Sequence, residues 1–271
     1  MTATTKNQRV DLLCIPGAGG SAMTFHALVR RMLSEKVSTV PFDLPRASGR
    51  GSSDVRSYAQ QLLDQIAPAG PPLILLGHSM GALVAYEMAR TALWEAPTAE
   101  AGRPAGRRVL HLIVLASPAP DRLATPGPDW TRTGPQDATA LADSLVATGE
   151  LPAAATSLPP QELYDDLRAW QTYRPDPNAQ PLQAPITVVG GRYDTGTGPE
   201  RLERWSAFTT DWRGVRWVPA RHDVLGEAGP YTARAVDAIV RDTLRTIGKK
   251  ETAPYAAPER VDSPIHEKGT P

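Results

Sequence analysis

A mainly parallel α/β sheet with helices on both faces is the fold class that the sequence predicts. Short apolar runs alternate along the chain with longer stretches of helical periodicity. The runs are short, apolar or β-branched, and bounded by glycine, proline or charge, as buried parallel strands should be. One of them ends in Gly77-His78-Ser79-Met80-Gly81 and passes directly into a helical pattern, which is a tight strand-to-helix turn.

Six runs read as strands. Val10–Ile15 lies between Arg9 and Pro16-Gly17, and Val37–Phe42 is rich in β-branched residues and stops at Asp43. Leu73–Leu76 follows Pro71-Pro72 and precedes Gly77; Leu110–Ala116 follows Arg107-Arg108. Ile186–Val189 lies between Pro185 and Gly190-Gly191, and Val215–Val218 between Gly214 and Pro219. Glycine, proline and charge thus punctuate each run. Helices are expected at about Ala22–Ser34, Asp54–Ala67, Met80–Trp94, Glu200–Phe208 and Tyr231–Thr246, with Ser53 as the cap of the second.

The stretch between Ala116 and Ile186 breaks this rhythm. Its first part, Pro118 to Pro135, is irregular and Pro/Gly-rich, whereas Leu141–Val146 and Gln161–Tyr173 have helical character. An insertion of this length carries structure or function of its own. It is read as a helical lid, residues about 121–180, over the carboxyl edge of the sheet. Leu163, Leu167 and Trp170 fall on one helical stripe. They are the candidate substrate-binding positions of that lid, and packing on the body is the competing explanation. Ala96–Arg108 reads as a surface loop. Residues 1–248 are taken as one domain and 249–271, rich in proline and charge, as a disordered tail.

Composition excludes several roles. In 271 residues, Lys+Arg and Asp+Glu each total 29, so no net charge favours nucleic acid or a membrane surface. No apolar run approaches the roughly 20 residues of a membrane span, and no signal region opens the chain. A cytoplasmic location is expected. The single cysteine, Cys14, forms no internal disulfide and reads as a core residue. No cofactor or metal is expected. The glycine-rich Pro16-Gly17-Ala18-Gly19-Gly20-Ser21 has no following Lys-Ser or Lys-Thr and no G-x-G-x-x-G spacing.

The tight turn around Ser79 has the features of a nucleophile elbow. Glycines two residues either side of the serine relieve crowding, and the serine stands at a helix start whose dipole favours developing negative charge. This context predicts an α/β-hydrolase. A serine nucleophile needs a base and an orienting carboxylate. Of five histidines, His78 adjoins Ser79, His26 precedes it, His111 opens a strand and His266 lies in the tail. His222, just after the last strand, remains as the base. Asp194, just past Ile186–Val189, is the favoured acid; Asp121 is its competitor and Asp223 a third choice. The oxyanion donors should be the backbone N–H of Met80 and one from the loop after the first strand, Ala18 ahead of Gly17.

At these residues the chain resembles the thioesterases of polyketide and non-ribosomal peptide assembly lines, especially the stand-alone type II enzymes. The resemblance runs over most of residues 10–247. It rests on Cys14-Ile15-Pro16-Gly17-Ala18-Gly19-Gly20-Ser21, Gly77-His78-Ser79-Met80-Gly81-Ala82, and Tyr173-Arg174-Pro175 leading into Pro185–Gly191. It implies hydrolysis of acyl groups from the phosphopantetheine arm of an acyl or peptidyl carrier protein. Product release by cyclisation or transfer and general carboxylesterase activity are the alternatives. The resemblance also implies an acid after the penultimate strand, which maps to Asp194. In thioesterases built into the synthases it often follows the strand before, here near Ala116. Two positions depart from the pattern: Asp223 stands where an aromatic residue usually follows the histidine, and Gly191-Arg192-Tyr193 where a second aspartate usually precedes the acid.

Overall fold

The computed structural model describes residues 9–32, 36–46, 54–94, 107–123, 132–148, 151, 155 and 157–252. The expected loop at 96–108 and the tail at 249–271 fall mostly outside these residues.

Six strands form one sheet: β1 (Val10–Ile15), β2 (Val37–Pro41), β3 (Leu73–His78), β4 (Val109–Leu115), β5 (Ile186–Gly191) and β6 (Trp212–Val218). Every pairing is parallel, in the order β2-β1-β3-β4-β5-β6. The inner strands are largely apolar because alternate side chains enter two separate cores, whereas the edge strands carry Ser38 and Thr39 on β2 and Arg213 and Arg216 on β6. Leu13, Ile15, Leu73, Leu75, Leu112, Val114, Ile186 and Val188 face one core. Leu12, Cys14, Ile74, Leu76, Ile113, Leu115 and Val189 face the other.

The first core is covered by α2 (Val55–Asp64), α3 (Met80–Trp94) and α5 (Pro160–Thr172), with α4 (Pro135–Ala147) packed beside α5. The second is covered by α1 (His26–Val29) and α7 (Gly229–Thr252). The α2 cap is Asp54, whose carboxylate accepts from the Ser57 N–H at 2.8 Å; the expected cap, Ser53, lies outside the described residues. The helix expected over Ala22–Ser34 is instead a 3-10 turn, Ala22–Phe25, followed by the single α-helical turn of α1. That winding buries both Phe25 and Leu28, while Asp43 takes the Ala22 N–H. The helix expected over Glu200–Phe208 divides into α6 (Pro199–Glu203) and a 3-10 turn, Arg204–Phe208. The tighter turn buries Trp205, whose indole N–H donates to the Ser117 carbonyl at 2.9 Å.

His111, on β4, ties the sheet to α7. Its Nδ1 lies 2.8 Å from the Thr243 hydroxyl and its Nε2 2.8 Å from that of Thr187. The Thr243 hydroxyl donates to the Ile239 carbonyl, so it accepts from Nδ1–H, and Nε2 accepts from Thr187. A neutral ring satisfies all of these bonds. Burial pushes the His111 pKa down to about 4, with Arg213 and Arg216 of β6 adding to the effect and Asp211 and Asp242 opposing it. A histidine whose folded pKa is depressed binds its proton more readily when unfolded. Stability is therefore lost as pH falls from about 6.5 towards 4, by about 3 kcal/mol for this residue. His111→Gln preserves one donor and one acceptor but does not titrate. Urea unfolding between pH 7 and pH 4.5 should show a shallower acid loss in the variant, by up to about 1.4 kcal/mol per pH unit. Parallel wild-type and variant curves would mean that His111 binds its proton equally well folded and unfolded.

Candidate active site

The strand order places the site. From β1 the chain moves outward to β2, then crosses back to β3 on the other side of β1. The loops after β1 and β3 therefore leave the sheet in opposite directions and open a crevice at its carboxyl edge. The Gly17–Ser21 loop follows β1, and Ser79 follows β3.

Ser79 has φ +50°, a left-handed conformation that is uncommon outside glycine and is held only by its surroundings. A Cβ on Gly77 would overlap the Gly81 carbonyl and the Ala82 backbone; one on Gly81 would overlap the Ile15 and Pro16 carbonyls. The end of β3, the start of α3 and the end of β1 thus meet with no room for side chains at either glycine. The Ser79 N–H donates to the Leu115 carbonyl at 2.9 Å and Ala82 N–H donates to the Ser79 carbonyl at 2.9 Å.

Three of the expected residues come together although they are far apart in sequence. His222, on the loop after β6, has Nε2 3.0 Å from Ser79 Oγ. Its Nδ1 lies 2.9 Å from Asp194 Oδ2. Asp194 is nearly buried on the loop after β5. Its Oδ1 accepts from the N–H groups of Gly196 (2.9 Å) and Thr197 (3.1 Å), and the Thr197 hydroxyl donates to Oδ2. Burial acts to raise the Asp194 pKa. The hydrogen bond and charge of His222, with the two bonds from Thr197, outweigh it and hold the carboxyl below its usual range.

The competing acids lie elsewhere. Asp121 pairs with Arg204 at 2.7 Å in the turn after β4, and Asp223 accepts from the Gly226 N–H at 2.8 Å. Ala116, at the end of β4, is fully buried with φ +44° and has no group to offer.

The Gly17–Ser21 loop packs directly on the serine: a Cβ on Gly17 would lie 3.0 Å from Ser79 Cβ. Gly20 N–H donates to the Gly17 carbonyl at 3.0 Å, closing a turn. Met80 N–H is at the first position of α3, where no intrahelical acceptor exists. Among the described residues, neither Met80 N–H nor Ala18 N–H has a protein acceptor. Leu163 and Leu167 are buried in the same core as Ala18 and Met80. Trp170 is partly buried against that core, with its indole nitrogen enclosed and without a partner.

Two supporting residues escaped the sequence reading. Thr197 completes the coordination of Asp194. His78 Nε2 lies 3.3 Å from the His222 carbonyl, with ring centroids 5.6 Å apart. Burial, then the neighbouring His222, drives the His78 pKa down to about 4, so it is a neutral donor that holds the His222 backbone. A cavity of about 500 Å³ at the opposite, amino-terminal ends of β4–β6 is lined by Arg108, His111, Arg213, Arg216 and Asp242. None of the residues around Ser79 borders it. Among the described residues, no helix is long and apolar enough to cross a membrane.

Comparison with known proteins identifies the family. Gramicidin S biosynthesis protein GrsT of Aneurinibacillus migulanus is 28% identical over 228 residues, covering 81% of this chain and 84% of that protein. Phenyloxazoline synthase MbtB of Mycobacterium tuberculosis is 29% identical over 240 residues, 85% of this chain, yet the chain spans only 16% of MbtB. Among solved structures, the type II thioesterase BorB from the borrelidin biosynthetic cluster superposes with a TM-score of 0.66 at 26% identity, covering 90% of this chain and 93% of that one. The sequence profile of the thioesterase domain matches residues 10–241. That span runs from the first residue of β1 into α7, so the sheet and both helical layers lie within it, and the chain belongs to the thioesterase family, hydrolases of thioester bonds with the α/β-hydrolase fold.

Proposed function

We propose that the chain removes acyl groups from the phosphopantetheine arm of acyl or peptidyl carrier proteins in polyketide or non-ribosomal peptide assembly, as a type II thioesterase. The supporting observation is the relay from Asp194 through His222 to Ser79, at 2.9 and 3.0 Å, with its acid on the loop after β5. On this reading Ser79 Oγ attacks the thioester carbonyl while His222 Nε2 takes its proton. Asp194 holds the imidazole and stabilises its cation. Met80 and Ala18 N–H groups receive the oxyanion. The tetrahedral intermediate collapses, the C–S bond breaks, and His222 returns the proton to the departing thiolate. Water, deprotonated by the same nitrogen, then attacks the acyl-enzyme; the C–O bond to Ser79 breaks, His222 returns the proton to Ser79 Oγ, and free acid leaves.

Mass spectrometry of acyl carrier proteins across a panel of acyl groups tests this. The expected result is loss of the acyl mass with the phosphopantetheine arm retained as a free thiol, and appearance of the free acid. Intact acyl carriers alongside rapid hydrolysis of simple esters would replace it with the carboxylesterase reading. A cyclised or transferred product would replace it with the release reading.

Residues 121–180 are assigned as the lid on this site, with Leu163, Leu167 and Trp170 on its apolar face. Trp170→Ala is expected to shift the ranking of acyl chain lengths by kcat/KM towards longer chains. Each methylene newly accommodated is worth about 0.8 kcal/mol, or about fourfold. Melting temperature is measured in parallel. An unchanged ranking in a folded variant would make Trp170 a packing residue alone.

A further inference from the structure

The most deeply buried charge outside the relay is Asp166, on α5, whose exposure is 0%. An ionised carboxylate costs several kcal/mol to bury unless donors surround it. Four donated bonds do so here. Tyr58 OH, from α2, donates to Oδ1 at 2.9 Å. Oδ2 accepts from Arg46 Nε at 3.1 Å, from Arg46 Nη2 at 2.9 Å, and from the Gly19 backbone N–H at 2.9 Å. Arg46 Nη2 also donates to the Gly20 carbonyl at 2.6 Å. The Asp166–Arg46 pair therefore grips the Gly17–Ser21 loop on both sides, by the N–H of Gly19 and the carbonyl of Gly20.

We propose that Asp166 is a positioning residue for hydrolysis: from the lid segment it fixes the loop that aims the Ala18 N–H at the reacting carbonyl. The inference rests on the reading of Ala18 as an oxyanion donor. Gly19 immediately follows Ala18, and its N–H is part of the peptide plane that sets the Ala18 ψ angle. Gly19 sits at φ +72°, with Ala155 filling the space where a side chain would go. The Gly20-to-Gly17 turn closes the loop on itself but fixes no orientation relative to Ser79. The Asp166 bond does, because α5 is packed into the same core as Met80. An oxyanion donor works only when preorganised at hydrogen-bonding distance and angle. Misplacement by about 1 Å can cost about 100-fold.

A second anchor of the same helix region separates positioning from simple attachment. Tyr173 OH, just after α5, donates to the buried Glu87 of α3 at 2.6 Å and, among the described residues, makes no hydrogen bond to the Gly17–Ser21 loop. The test measures kcat, KM and melting temperature with an acyl-N-acetylcysteamine thioester for Asp166→Ala, Asp166→Asn and Tyr173→Phe. Asp166→Ala should lower kcat by about 10- to 100-fold with KM changed less than about threefold, the signature of a contact made in the transition state. Asp166→Asn keeps an acceptor for Gly19 N–H and should recover most of that loss. Tyr173→Phe should lower the melting temperature while leaving kcat within about twofold, since the lost hydrogen bond weakens the fold but moves no oxyanion donor.

Equal losses of kcat in Asp166→Ala and Tyr173→Phe, or wild-type kcat in Asp166→Ala, would overturn the proposal. Should Asp166→Ala fail to fold, Arg46→Gln removes two of the four bonds donated to Asp166 together with the bond to the Gly20 carbonyl, and wild-type kcat there would overturn the claim that this pair fixes the loop. Ser79→Ala in the same assay keeps the two readings apart. If it retains turnover, the serine mechanism itself fails. If it is inactive while Asp166→Ala runs at wild-type kcat, only the positioning role fails.

Discussion

Ser79→Ala is expected to lower kcat/KM by on the order of 10⁴- to 10⁶-fold and to abolish covalent labelling by a fluorophosphonate, with the fold unchanged. The change removes one oxygen from a residue that is only 9% exposed. That oxygen's side-chain partner is His222 Nε2 at 3.0 Å, which can turn to water once the hydroxyl has gone. The left-handed φ of position 79 is imposed by the packing of Gly77 and Gly81 against backbone and places similar demands on alanine. Residual turnover would come from substrate held against the Met80 and Ala18 N–H groups without an attacking oxygen. Intact-mass measurement after labelling and a thermal melt decide the matter. A folded variant with near-wild-type turnover, or one still labelled at a single site, would place the nucleophile elsewhere.

The inner strands were legible because burial on both faces leaves a signal at nearly every residue. Leu12 and Leu13 enter opposite cores, and the run shows no gap between them. Strand ends were less legible. β3 extends through Gly77-His78 and β5 through Gly190-Gly191, because their neighbours supply partners even where glycine weakens local preference. Ser79, His222 and Asp194 could each be named from position relative to a strand end, since the fold restricts where such loops emerge. Asp166 could not be assigned a role this way. It shares the buried face of α5 with Leu163 and Leu167, and nothing local in the sequence marks it out. Its partners Gly19, Arg46 and Tyr58 lie 147, 120 and 108 residues away, and no local rule links them. Thr197 and His78 were missed for a related reason: they support site residues through two hydrogen bonds and one respectively, of kinds that ordinary loop or elbow residues could equally make.

The other large effect is expected from Asp194→Asn, at on the order of 10⁴-fold in kcat. Two backbone N–H groups, from Gly196 and Thr197, point at Oδ1. They fix the orientation of the replacement: the amide oxygen must take that side, which turns the NH₂ towards His222 Nδ1. The ring must then accept at Nδ1 and carry its proton on Nε2, the nitrogen 3.0 Å from Ser79 Oγ. A protonated Nε2 cannot take the serine proton, and the cation formed during attack loses its counter-charge. Stability responds in a defined direction as well. The Asp194 carboxyl is held below the usual range, so it contributes stability above its unfolded pKa of about 3.9 and loses it as pH falls through the folded value. The melting temperatures of wild type and Asn variant should therefore converge in acid. Asp121→Asn is the control. Its side chain is partly exposed and pairs with Arg204 at the surface, a contact worth at most about 1 kcal/mol, and kcat should stay within about twofold. If Asp121→Asn abolished turnover and Asp194→Asn spared it, the acid would lie after β4, as in thioesterases built into synthases, and the Asp194–His222 bond would be reduced to a loop clasp.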